Sequence, residues 1–118
     1  MNKIKYCLYF ACFILLIACN GKISQNIISP NASLYYTKHA KCRMDCRHIT
    51  EREIREVLER GIVDERKSNP QDKPCPTYAI EARTDEGQHL RIVFATCTDE
   101  VKVVTCIDLD HDFECDCY

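Results

Sequence analysis

The chain has 118 residues, 16 Lys and Arg against 18 Asp and Glu, and ten cysteines. That length holds one domain once a leader is removed. A formal charge of −2 excludes a generic nucleic-acid binder, which carries a broad basic surface, so any anion site has to be a local cluster.

Residues 1–19 read as a bacterial lipoprotein signal peptide. Lys3 and Lys5 form the charged start, and residues 6–17 are an apolar run too short to span a bilayer comfortably. Leu16-Ile17-Ala18-Cys19 then matches a lipobox, which makes Cys19 the lipidated residue. The expected membrane contact is therefore an anchor rather than a span. Asn20-Gly21-Lys22-Ile23-Ser24 has no acidic residue. That favours the periplasmic side of the outer membrane of a Gram-negative bacterium. Loss of Lys3 and Lys5 with the leader leaves 14 basic and 18 acidic residues, a charge of −4. Residues 20–36 contain Asn, Ser, Gly and Pro30 and read as a tether. Residues 37–118 are left as a single domain.

Residues 38–48 concentrate two histidines, two cysteines and four Lys and Arg. Thr37 is a suitable N-cap for a helix here. At 100° per residue, His39, Cys42, Arg43, Cys46 and Arg47 share one arc, with Ala40 and Met44 beside it. His39, Arg43 and Arg47 stand at i, i+4 and i+8, so their side chains form a ridge. An imidazole and two guanidiniums in a row suit a phosphate or carboxylate. The plainer alternative is that both arginines pair with acids elsewhere in the fold.

Thr50-Glu51-Arg52-Glu53 fits a capping box, with Ile49 and Ile54 as a hydrophobic staple. Ile54, Val57 and Leu58 give this second helix its apolar stripe, and its charges read as a solvated face. Gly61 is expected to end it, with Ile62 folding back on Val57. Residues 64–76, with Pro70, Pro74 and Pro76, read as a loop. Three alternating runs follow: Tyr78-Ile80-Ala82, Leu90-Ile92-Phe94 and Val101-Val103-Thr105-Ile107, joined by short turns. The order predicts an α+β domain: two N-terminal helices followed by a three- to four-stranded antiparallel sheet. Asp108, Asp110 and Asp112 alternate like the start of an EF-hand loop, but Phe113 stands where glycine is required. This tail therefore reads as a final strand or extended arm.

Cys7 and Cys12 leave with the leader and Cys19 carries lipid. Seven cysteines remain: Cys42, Cys46, Cys75, Cys97, Cys106, Cys115 and Cys117. An exported chain favours disulfides between them, and an odd number leaves at least one over. The competing use is a thiolate zinc site on Cys42, Cys46, Cys115 and Cys117. No cofactor is otherwise implied.

His39-Ala40, Arg43-Met44 and Arg47 come first, followed by Ile49, Ile54 and Gly61. With the Tyr78 strand, residues 90–94 and Val103-Val104-Thr105, the domain resembles domain-of-unknown-function family 4258 over residues 36–108. The family looks related to the small ribonuclease and toxin fold of barnase and RelE. The resemblance implies a cleft holding His39, Arg43, Arg47 and Thr105. Three readings follow. The first is a lipid-anchored, cysteine-stapled domain whose His39, Arg43 and Arg47 bind an anionic ligand or protein partner. The second is a metal-independent ribonuclease with His39 as base, Arg43 and Arg47 on the phosphorane and Thr105 positioning the phosphate. The third is the zinc protein. Nucleic acid is the less favoured partner, since a periplasmic anchor leaves an RNA-cleaving enzyme little substrate.

Overall fold

The computed structural model describes residues 21–117. The leader and the Cys19 lipobox lie outside the described residues. The elements run β1 (Leu34–Tyr36), α1 (Lys38–Arg47), α2 (Glu51–Arg60), β2 (Ile62–Asn69), β3 (Thr77–Arg83), β4 (His89–Thr96) and β5 (Val101–Asp108). The sheet has five strands in the order β1-β5-β4-β3-β2. β1 lies parallel to β5 and the other pairs are antiparallel. The α+β class stands, but the sheet is mixed and larger than expected, and a short strand precedes the helices. No helix among the described residues is long and apolar enough to cross a membrane.

Both helices form where their signals stand. Thr37 Oγ1 accepts the Ala40 N–H at 3.0 Å and donates to the Val104 carbonyl at 3.2 Å, so the cap also ties α1 to β5. His48 ends α1 in the left-handed region at φ 55°. The Thr50–Glu53 capping box is complete. Ile54, Val57 and Leu58 are fully buried against one sheet face with Ile80, Leu90, Ile92, Phe94 and Val103. The α2 charges are not all solvated: Glu53 is fully buried and Glu56 is 8% exposed. Glu53 accepts from Thr84 Oγ1 (2.9 Å) and Gln88 Nε2 (3.3 Å), and Glu56 accepts from the Asp85 N–H (2.9 Å). The β3–β4 turn thus supplies the donors that a buried carboxylate requires.

Gly61 caps α2 in an extended conformation, φ −74°, so it is not a left-handed terminator. Its requirement is space, because an added Cβ would meet Ile80 Cγ2 and the Val57 carbonyl, each at 2.3 Å. Ile62 does not fold back on Val57; it is 52% exposed.

Three further corrections share one cause, backbone pairing that leaves no apolar pattern. Residues 64–69, assigned to a loop, belong to the edge strand β2, whose Asp64-Glu65-Arg66-Lys67 run suits an exposed edge. β1 is three residues long and pairs with a strand far along the chain. Residues 21–36 are folded onto the domain rather than forming a tether. Ile23 bridges Ile62, and Ser24 and Ile28 are buried. Ser24 Oγ donates to the Leu58 carbonyl at 2.7 Å. Arg55 Nη1 donates to the carbonyls of Pro30 (3.2 Å) and Ala32 (2.6 Å).

Candidate functional site

The α1 face does not collect all four residues that the sequence assigned to it. The β4–β5 register shifts between Val93 and Phe94, whose partners are Thr105 and Val103. Val104 is the extra residue of this bulge. A one-residue slip exchanges the two faces of a strand. Upstream of the bulge, Val101 and Val103 pack toward the helices. Downstream, Cys106 and Asp108 are buried there instead. Thr105 pairs with Val93, between the buried Ile92 and Phe94, and so faces away from the helices. It is on the wrong side of the sheet to join the ridge on α1.

What the bulge brings under α1 is Cys106. Its Sγ lies 3.9 Å from the Ala40 carbonyl, and it is the free, buried cysteine among the described residues. Arg47 Nη1 donates to the Cys106 carbonyl. Burial, and then the neighbouring Arg43 charge, pull the Arg47 guanidinium below its ordinary value. Burial pushes the Cys106 thiol up to about 11 against the pull of Arg47 and Arg43. Arg43 Nε is buried with no hydrogen-bond partner. His39, Arg43 and Arg47 are all half-buried.

Residues after β5 turn back along α1 as an arm. Disulfides Cys46–Cys115 and Cys42–Cys117 fasten it to successive turns of the helix. A third, Cys75–Cys97, ties the loop before β3 to the end of β4. The cysteines of the zinc reading are therefore bonded in pairs and present no thiolate. No group of three or more His, Cys, Asp or Glu among the described residues could hold a metal.

The arm's acids do not quench the arginines. Asp108 accepts the N–H groups of Asp110 (2.9 Å) and His111 (3.0 Å) and meets His111 Nδ1 at 3.2 Å. Burial works against its charge, but these donors hold Asp108 below its usual carboxylate range. Asp110 pairs with Arg83 at 3.3 Å and approaches His89 at 3.7 Å. Asp112, Glu114 and Asp116 are exposed. Among the described residues neither Arg43 nor Arg47 forms an ion pair. Phe113 of the arm also stands edge-on to the ring of His48, the residue that ends α1, at 6.2 Å.

Sequence reasoning missed a second polar cluster, on the sheet face turned away from the helices. Arg91 bridges Glu81 at 2.9 Å and Asp64 at 3.4 Å. Hydrogen bonding to Glu81 holds the Asp64 carboxyl below its ordinary range. Asp64 and Glu81 border a groove of about 550 Å³ that Arg66, Arg83 and His89 also line. The charged positions alternating with Ile80 and Ile92 were the available signal. Assigning Asp64 to a loop hid the third member.

A family model described as "Domain of unknown function (DUF4258)" matches residues 36–108. No curated protein and no solved structure matches the chain. The matched span starts at the last residue of β1 and ends with β5. The disulfide-held arm lies outside it.

Proposed function

The chain belongs to the DUF4258 family, and from that starting point we propose that it is a lipid-anchored extracytoplasmic domain that binds an anionic ligand or protein partner through His39, Arg43 and Arg47. The proposed setting is the periplasmic side of the outer membrane of a Gram-negative bacterium, with Cys19 carrying the lipid. Three disulfides fit an oxidising compartment.

One observation carries the binding reading: the buried, unpartnered Nε of Arg43, beside an Arg47 that forms no ion pair among the described residues and feels Asp108 only at a distance. A buried guanidinium donor without an acceptor is costly, and a phosphate or carboxylate oxygen supplies that acceptor with charge assistance. The ribonuclease reading is not carried further, because Thr105 faces away from the ridge.

Titration of the oxidised mature protein with pyrophosphate, followed by calorimetry or NMR, tests this. Binding should weaken as salt rises and fall at least tenfold in Arg43→Gln. His39→Ala should have a smaller effect. Arg47→Lys keeps the charge and checks that loss of the Cys106 carbonyl contact is not the cause. Unchanged affinity in Arg43→Gln would remove the site. RNA cleavage that disappears in His39→Ala would replace binding with catalysis.

A further inference from the structure

Three large apolar side chains among the described residues are strongly exposed: Ile23 (49%), Tyr35 (55%) and Ile62 (52%). Two of them are neighbours. Ile23 forms an antiparallel bridge with Ile62, so the two side chains leave the same surface together. Tyr35 stands on β1, at the opposite edge of the sheet from β2.

The Ile23/Ile62 pair sits where the described chain begins, and the backbone there is pinned. Val63 N–H donates to the Lys22 carbonyl at 2.9 Å, and Ser24 N–H donates to the Gly61 carbonyl at 3.0 Å. Gly21 lies so close to Ile62 that an added Cβ would stand 2.8 Å from its Cγ2. The described fold is therefore fixed from Gly21 onward, two positions after Cys19 in the sequence. Two residues reach at most about 7 Å. A headgroup layer is about 5–7 Å thick on each side of the hydrocarbon. A diacylated Cys19 cannot hold this body away from the bilayer; the Gly21 end has to meet the headgroups.

We infer that the face formed by residues 21–23 with Gly61 and Ile62 is a membrane-docking surface, seated on the phospholipid leaflet that anchors Cys19. This rests on the lipid-anchor reading of Cys19. The face is shaped for contact: a shallow hollow of about 570 Å³ runs between Gly21, Ile23, Gln25, Glu59, Arg60 and Ile62. Its charge is balanced. Lys22 and Glu59 carry opposite charges, and Arg60 is held by Glu56 and Asp85 at 2.9 Å each. Apolar contact, rather than attraction to anionic lipid, is then the adhesive term. Docking at this edge leaves β1, at the other end of the sheet, pointing away from the lipid.

The chain contains no tryptophan, so a single introduced indole reports position without background. The acylated full-length product is purified as Ile62→Trp or Tyr35→Trp and reconstituted in phosphatidylcholine vesicles containing brominated acyl chains. Mass spectrometry first establishes whether Cys19 is acylated, and thermal melts confirm that both variants are folded. With Cys19 acylated, the indole at 62 should shift to the blue and be quenched several-fold more strongly than the indole at 35, with little change in high salt. An acylated protein in which position 62 is unquenched, or no more quenched than position 35, overturns docking and leaves the anchor standing. An unacylated Cys19 overturns both.

Discussion

The two helices of this domain are held by different forces. α2 buries Ile54, Val57 and Leu58 completely, and its two buried carboxylates are bonded into the β3–β4 turn. α1 buries one residue fully, Ala40. Beside the partly buried Met44, the rest of its inward arc carries His39, Arg43, Arg47 and two cysteines, which contribute little apolar area. Its attachment is the Thr37 cap, the Arg47 bond to β5 and two disulfides. A helix face occupied by polar chemistry cannot also serve as a core face, and in a domain this small covalent cross-links replace the missing packing.

The sharpest way to break this contrast is to remove the cross-links. The disulfides Cys42–Cys117 and Cys46–Cys115 close loops of 75 and 69 residues, one nested in the other. Replacing all four cysteines by Ser should cost about 6 kcal/mol on a chain-entropy basis, enough to bring a small domain near its unfolding threshold. Removing either pair alone should cost only about 2 kcal/mol, because the remaining bond keeps the long loop closed. Denaturant titration under oxidising conditions measures both. Two losses that simply add up to the quadruple variant would show that the bonds do not act as one clamp.

A smaller effect probes the packed side. Gly61→Ala places a methyl group against Ile80 and the Val57 carbonyl and should destabilise the domain by about 2 kcal/mol through overpacking. The melting temperature should fall while hydrogen exchange in the arm stays unchanged. A shift confined to the arm would contradict the division between the two regions.

The smallest expected effect lies where the regions meet. The Cys106 thiol is raised from 9.0 to about 11 in the fold. The folded state therefore retains a proton that the unfolded chain releases. Stability from this group is complete below pH 9 and declines as pH rises toward 11. Cys106→Ala should lose part of that alkaline slope in pH-dependent melts. The native protein should react with a thiol reagent slowly at pH 8 and with one equivalent when unfolded. Rapid labelling of the native protein would show that the thiol is open to solvent.

Much of the fold is legible because its signals are local. Thr37, the Thr50–Glu53 box and the alternation in β3 and β4 stand within a few residues of what they specify. What could not be read depends on distant pairing. β2 lacks an apolar pattern because it is an edge, and Ser24 is buried through a bond to Leu58, 34 residues away. The candidate site was half legible. The helix ridge follows from spacing alone. Thr105 was grouped with Val103 by strict alternation, which the bulge at Val104 breaks, and the same bulge turns Cys106 inward. Seven cysteines required at least one to be left over; the bulge determines which.

The position of the staple partners also orders the events of folding. Cys115 and Cys117 follow every strand among the described residues, while Cys42 and Cys46 precede all of these but β1. Synthesis from the N-terminus presents the early cysteines long before their partners, and Cys106 ahead of both. In the folded domain Cys106 is buried beneath α1, so the thiol left over is covered by the helix that the staples fasten. Neither staple can close before every strand among the described residues has been made.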